Sequence, residues 1–588
     1  MFDFERQAIT DQIKAYCIDQ AIPLPETLKW SSIPFNGEWG ISTSFFQAAA
    51  GEARSGKKVI VPQRAQEIAE SVAAQIGTPT GFERVEAVKG YLNLYFSSGE
   101  FSLRTVSTVL GEKLDFGRGG SKGEQIMVEF SQPNTHKAFH VGHLRSAILG
   151  DVISRITEFA GYDVVRANYI GDIGLHVIKW LWNYRKHHSG EKPKADTTRW
   201  MGDLYAETSR RLADDPDLES EVREIYARWD RQDPEIVALW EETRQWSIDG
   251  FNELYATLDI RFDRLYSNSE AEKPGKEIVD QLIAANIAVD ERPDGPVIVR
   301  LDELLGLDKE KYRVLVVLRS DGTALYSTED LALAKIKINE YNLAKSIYVV
   351  DVRQSLHFQQ VWKTLELAGY EWSDRCHHLA YELVNLPGNV TMASRDGTVV
   401  LLEDLIREST SRALEVVEEK NPTLTDEEKQ TVARAVGMGA LKYPMLARDN
   451  TKIVTFDWEA ALDFNGQAAP YIQYAHVRAN SILKRTDIDL SQPMTVPSHQ
   501  LEPSEIQLVE LISRLPNEVQ RAAEEFKTLH ITNYAYELAK AFNSFYRQCP
   551  VLQIAPEVRD FRLRLVEAAR QTIANTLNLL GIEAPEKM

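Results

Sequence analysis

A parallel α/β core, preceded by a small α+β unit and followed by an all-α C-terminal third, is the architecture the sequence predicts. Three observations predict it. Apolar strand candidates at 126–130 and 162–168 flank an amphipathic helix over about 141–160, and strand, helix, strand makes a βαβ unit with parallel pairing. The first stretch, to about residue 110, mixes helical and alternating patterns. From about residue 402 to the end nearly every segment has helical periodicity.

Taken in order, residues 4–18 place Ile9, Ile13, Tyr16 and Cys17 on one helical face. The run Tyr91–Phe96 alternates like a half-buried strand. Gly117-Arg118-Gly119-Gly120-Ser121 then breaks the pattern as a linker. Within the core, Leu144, Ile148, Val152, Ile156 and Phe159 line one helix face. Residues from about 180 to 250 are charged and helical in pattern and read as an insertion. Strand signals return at 314–318 and 347–350.

The chain has 588 residues, 44% hydrophobic and 26% charged, which is ordinary for globular protein and enough for several cores. Lys plus Arg is 67 against 87 Asp plus Glu, a net charge of −20. That balance excludes a non-specific nucleic-acid binder but allows RNA held by local basic patches. No run of ~18 apolar residues predicts a membrane span. The opening MFDFERQAIT lacks the basic and apolar regions of a secretion signal. Cys17, Cys376 and Cys549 fit no disulfide framework or zinc spacing, so reduced, buried thiols and a cytoplasmic location are expected.

The densest stretch runs from Glu129 through Asn134, Lys137 and His140 to His143, where a strand hands over to a helix. Free N–H groups and the dipole of a helix start attract phosphate. Gly142 lets a ligand approach the backbone, His140 and His143 can donate to phosphate oxygens, and Lys137 adds a point charge. Spacing alone leaves other readings open: satisfied capping or core histidines, or zinc ligands, although no Cys or carboxylate cluster completes a four-ligand set.

His140-Val141-Gly142-His143 resembles the His-Ile-Gly-His signature of class I aminoacyl-tRNA synthetases. The wider runs, 129–146 and 161–174, resemble the arginyl branch of that family. The resemblance implies a Rossmann-like catalytic domain at 120–405, with the helical insertion at about 183–260. It also implies an N-terminal tRNA-binding α+β domain at 1–115, connecting helices at 406–455 and an all-α anticodon-binding domain at 456–588. Implied substrates are L-arginine, ATP as its Mg2+ complex and tRNA(Arg). A monomer is expected, with no membrane or DNA partner and no protein-bound structural metal.

Tyr326 and Asp330 follow a turn and open a helix. By pattern, Ser327 to Asp330 could be only a capping box. The resemblance instead makes Tyr326, Asp330 and Gln354 contacts to the arginine side chain, since a guanidinium needs a carboxylate, flanking acceptors and a flat wall. It likewise assigns Glu129 and Asn134 to the substrate's α-amino end. The family's Lys-Met-Ser-Lys-Ser loop corresponds to 391–400, where Met392, Ser394 and Arg395 stand without either lysine and Asp396 occupies a position that is lysine in many relatives. Lys137 and Arg395 are therefore expected to share the phosphate charge, with Met392, Ser394 and Gly142 near the nucleotide. A surface loop of preserved shape is the alternative.

In the helical third, Tyr471, Tyr474, Asn543, Tyr546 and Met588 are the residues that the resemblance sets against tRNA; stacking of aromatics on unpaired bases is the chemistry. Core filling is the plainer reading for most aromatics there. Two other functions stay in view: a small-molecule nucleotidyltransferase, which needs no such helical third, and a non-catalytic RNA-binding relative with an altered loop.

Overall fold

The computed structural model describes residues 3–25, 27–139, 141–386, 390–391, 401–486, 489 and 492–588. The chain divides into two compact units that do not follow chain order. The first comprises Met1–Phe116, Ala475–Leu515 and Glu537–Asn575; the second comprises Gly117–Tyr474, Pro516–Tyr536 and Thr576–Met588. The helical stretch expected at 456–588 is therefore shared between two units.

In the first unit, Ser31–Ser32, Gly40–Ser44, Tyr91–Phe96 and Phe82–Val88 form an antiparallel sheet in that spatial order. Lys89 (φ 51°) and Gly90 (φ 83°) make the two-residue hairpin turn, whose positive φ values match the twist of the flanking strands. Trp39 stacks on Phe101 at 4.2 Å and donates its indole N–H to Glu510.

The second unit is built on a five-stranded, wholly parallel sheet. We label its strands β1 (Gln125–Glu129), β2 (Asp163–Ile170), β3 (Arg264–Ser267), β4 (Lys345–Asp351) and β5 (Cys376–Tyr381). Their spatial order is β5-β4-β1-β2-β3. Helix α1 (Val141–Phe159) connects β1 to β2, α2 (Tyr326–Tyr341) precedes β4, and α3 (Ser355–Leu367) leads from β4 to β5. Buried Met127, Val165, Ala167, Leu331, Ala334 and Val361 join β1, β2, α2 and α3 in one core. The strands are buried on both faces, which is why β1 and β4 read as continuous apolar runs rather than alternating ones.

The strand expected at 314–318 forms, but in a separate antiparallel sheet with Val297–Arg300 and Val289–Asp290. The insertion consists of helices Leu175–His187, Thr197–Asp214, Glu219–Asp230 and Pro234–Thr257. Its centre is aromatic: Trp180 stacks on Tyr184 at 5.3 Å, and Trp200 meets Trp246 edge-on at 6.0 Å.

A buried lysine secures the chain's end to this unit. Lys442, 3% exposed, donates to the carbonyls of Leu258 and Gly581, each at 2.6 Å. Burial pulls its ammonium down to about 8. An unfolded lysine holds its proton to about pH 10.4, so from pH 8 to 10 the unfolded state binds more protons. Stability contributed through this group therefore rises with pH across that window. Lys442→Met should strand both carbonyls and lower stability at pH 7 by about 2 kcal/mol, read as a reduced urea midpoint. An unchanged midpoint would show that the lysine holds nothing.

Candidate active site

The segment between β1 and α1 is forced into an unusual path. Glu129 ends β1 with its carboxylate 3% exposed and paired with Lys337 of α2, itself 1% exposed. Beyond it, Ser131 (φ 80°), Gln132 (φ 48°) and His136 (φ 60°) all occupy the left-handed region without being glycine. Each such residue costs about 1–3 kcal/mol, so the surroundings must enforce it. They do so by hydrogen bonds. The Ser131 N–H donates to Ser146 Oγ at 3.0 Å and the Gln132 N–H to Asn168 Oδ1 at 3.2 Å. Ser131 Oγ and Asn168 Nδ2 both bond the Tyr255 hydroxyl, at 2.7 and 3.0 Å.

This path carries Asn134 onto Gly171, with which it forms a parallel bridge. A Cβ on Gly171 would fall 2.2 Å from Asn134 Oδ1, so only glycine fits there. Lys137 follows, its ammonium lowered by burial and 5.2 Å from the Tyr205 ring. Among the described residues it has no carboxylate partner. His143 lies in the first turn of α1, 5.0 Å from the Phe139 ring, with Gly142 beside it. His140 lies outside the described residues. His176, which the sequence reading did not single out, adds an imidazole that burial and the Lys137 ammonium push down to about 3.

Met392, Ser394 and Arg395 also lie outside the described residues, but both flanks of their segment are tied to this helix start. Upstream, the guanidinium of Arg145 on α1 is 1% exposed and donates to the carbonyls of Glu382, Leu383 and Lys452. Those carbonyls sit at the stem where Val384–Leu386 pairs with Val390–Thr391 and Val454–Thr455. Downstream, the Leu402 N–H donates to the Phe139 carbonyl at 3.2 Å.

An acidic pocket adjoins the loop between β1 and α1, because Gly171 lies against both Asn134 and Asn268, and Asn268 bonds Glu329. Asp330, in the first turns of α2, accepts from His357 Nε2 of α3 at 2.6 Å. It does not cap its helix, because Thr328 Oγ1 takes that role by accepting from the Leu325 N–H at 2.9 Å. The neighbouring Glu329 is 7% exposed and accepts from the Tyr169 hydroxyl at 2.9 Å and from Asn268 Nδ2. Burial raises its carboxyl to about 7. Tyr169, at the C-terminal end of β2, feels Asp330, Glu329 and Glu129 together, and burial with these carboxylates lifts its phenol well above the usual value. Tyr326 is 64% exposed at the rim, and Gln354 is exposed where β4 gives way to α3.

The topology explains why these groups meet. Glu129, Tyr169 and Gln354 sit at or just beyond the C-terminal ends of β1, β2 and β4. Between β1 and β4 the strand order reverses, and in parallel sheets ligands bind in the crevice that opens there. Sequence reasoning missed His357, Glu329, Tyr169, Asn268, His176 and Arg145. Tyr169 and Arg145 stood inside the diagnostic stretches and the Glu329-Asp330 doublet was visible, whereas His357, Asn268 and His176 carried no local signal.

Of the residues expected at RNA, Asn543 and Tyr546 are joined within the first unit by Arg478, which donates to Asn543 Oδ1 and lies 5.1 Å over the Tyr546 ring. Tyr471 and Tyr474 belong to the second unit; Tyr471 is 5.5 Å from Tyr536, and Tyr474 is 39% exposed. Met588 is buried in the same unit.

Comparison with known proteins places these features. The profile described as "tRNA synthetases class I (R), catalytic domain" matches residues 105–458, and "DALR anticodon binding domain" matches 472–588. The chain is 36% identical to the arginine–tRNA ligase of Streptococcus mutans over 528 residues, covering 89% of this chain and 91% of that protein. The Streptococcus pneumoniae enzyme of the same description is 35% identical, covering 95% of this chain and 96% of its own length. The solved arginyl-tRNA synthetase of Thermus thermophilus superposes with a TM-score of 0.77 at 28% identity, covering 99% of this chain and 100% of that one.

Glu329 gives the pocket a pH signature. The folded carboxyl keeps its proton to about pH 7, whereas an ordinary one loses it near 4.5. Its contribution is fully present below 4.5 and is lost as pH rises through 7, an effect of about 3 kcal/mol. Glu329→Gln fixes the neutral form, so the urea midpoint of the wild type should fall relative to this variant between pH 5 and 8. Parallel midpoints across that range would contradict the assignment.

Proposed function

Because the chain belongs to the class I arginyl-tRNA synthetase family, we propose that it ligates L-arginine to tRNA(Arg) at the expense of ATP. The arginine carboxylate attacks the α-phosphorus of Mg2+-ATP, the bond to pyrophosphate breaks, and arginyl-adenylate forms. The 2′-hydroxyl of the terminal tRNA nucleotide then attacks the arginyl carbonyl, and AMP leaves. A cytoplasmic monomer completes the reading.

One observation carries it. Among the described residues, Asp330 and Glu329 form an acidic pocket without a lysine or arginine counter-ion. It adjoins a helix start with a half-buried lysine that lacks a carboxylate partner, at the C-terminal ends of one sheet. A guanidinium supplies the cation that the pocket's carboxylates lack, and phosphates supply the anion for the helix start. Asp330, braced by His357, takes the guanidinium with Tyr326 as the wall and Gln354 as a further acceptor. Glu129 and Asn134 hold the α-amino end. Lys137, His143 and His140 balance the phosphate charge that grows in the transition state, with Gly142 giving room and Met392, Ser394 and Arg395 closing from the loop. Catalysis is then positioning plus electrostatics, with no covalent enzyme intermediate. Tyr471, Tyr474, Asn543, Tyr546 and Met588 serve tRNA.

Arginine-dependent ATP–pyrophosphate exchange, with and without tRNA, tests this directly. Lys137→Ala should cut the exchange kcat by roughly a hundredfold with arginine affinity little changed, because its charge is needed mainly in the transition state. Asp330→Asn should instead raise the KM for arginine by about a hundredfold, the order expected when one side of a buried charge pair is neutralised. Exchange on another amino acid, or none under any condition, would replace the reading with a different nucleotidyltransferase or a non-catalytic relative.

A further inference from the structure

The insertion has no part in the reaction described so far, yet its last helix grips the loop that presents Asn134 and Lys137. We propose that the helix Pro234–Thr257 is a splint for that loop, with Thr243 and Ser247 as positioning residues that act on Lys137 through His136. The proposal rests on the reading of the site above, because it takes Lys137 as the cation for phosphate.

His136 is 0% exposed, as are Thr135, Thr243 and Ser247. Its backbone N–H donates to Ser247 Oγ at 3.0 Å, which holds a residue at φ 60° that has no glycine to ease it. Its ring contacts hydroxyls at both nitrogens: Nε2 to Thr243 Oγ1 at 2.8 Å and Nδ1 to Thr135 Oγ1 at 2.9 Å. Each of these hydroxyls also reaches a backbone carbonyl, Thr243 Oγ1 that of Leu239 at 2.8 Å and Thr135 Oγ1 that of Gly171 at 3.2 Å. A neutral imidazole, with one nitrogen donating and the other accepting, satisfies both contacts. The Trp180 ring, 5.0 Å away and edge-on, closes the side of the imidazole.

His136 is thus a neutral strut rather than an acid or base, and burial pushing its imidazole well below the usual range fits that role. The titratable and charged groups that act on it are His176 and Arg244, both of which disfavour its protonation. Other bonds from the same helix tie down the neighbouring loop after β2. Arg244 Nε pairs with Asp172 at 2.8 Å and Trp240 Nε1 donates to the Asp172 carbonyl at 2.7 Å. Tyr255 holds Ser131 and Asn168. Five side chains of one helix therefore fix two site loops, while Asp330, Glu329 and His357 sit on α2 and α3 and take their hydrogen bonds from other elements.

That division sets the test. Thr243→Val keeps the shape and removes the hydroxyl, Thr243→Ser keeps the hydroxyl, and Ser247→Ala removes the clamp on the His136 N–H. In arginine-dependent exchange, Thr243→Val and Ser247→Ala should each lose about tenfold or more in kcat with the KM for arginine moved less than threefold, and Thr243→Ser should stay within twofold of wild type. Thr243→Val at wild-type kcat, or Thr243→Ser as impaired as Thr243→Val, overturns the splint. A second readout needs no activity. In a 15N-histidine spectrum of the wild-type chain, His136 should be a neutral ring with a slowly exchanging N–H from pH 5 to 9. A ring that titrates in that range overturns the assignment even if the enzyme's substrate proves to be different.

Discussion

The site depends on one constraint of the sheet: the chain leaves two adjacent parallel strands in opposite directions. β1 and β4 lie side by side in register, with Glu129 opposite Tyr348. From β1 the chain passes through α1 to β2, and from β4 it passes through α3 to β5. The two connections diverge, so a crevice opens above the strand ends. A helix start faces it from one side and the acidic first turns of α2 from the other.

Holding such groups in place is costly, and the structure shows where the cost is met. Glu129 and Lys337 are both buried, and a buried ion pair repays its desolvation only when its geometry is well satisfied. Gln132 Nε2, 3.4 Å from the second Glu129 oxygen, supplies one further polar partner. The loop between β1 and α1 stores strain at Ser131, Gln132 and His136, and its hydrogen-bond partners come from α1, β2 and the insertion. Residues far apart in the chain share the work of enforcing one backbone path.

Much of this was legible in the sequence. The βαβ pattern around 126–168 predicted the parallel sheet, because helix and strand periods differ and each left its mark. Lys137 stood out from its place just before a helix start, while Asn134, Tyr326, Asp330 and Gln354 were legible only through the family resemblance, since pattern alone left Asp330 as part of a helix cap. His357 was not, because its importance comes only from α3 packing beside α2, a tertiary fact. Glu329 looked like an ordinary surface acid in a helix's first turn, and only the partnership with Tyr169 and Asn268 distinguishes it. The strand at 314–318 was legible as a strand but not by sheet, since apolar content says nothing of pairing partners. The helical third read as one block because helical periodicity carries no boundary where a long helix passes from one packing neighbourhood to another.

The most direct test of a shared crevice is the affinity of a stable arginyl-adenylate analogue, measured by calorimetry beside arginine alone and ATP alone. If the guanidinium pocket and the helix start face one ligand, the joined molecule gains the advantage of linkage and should bind at least about a hundredfold more tightly than either half. An analogue that binds no better than its tighter half would mean that the two pockets cannot be bridged, and would contradict the account.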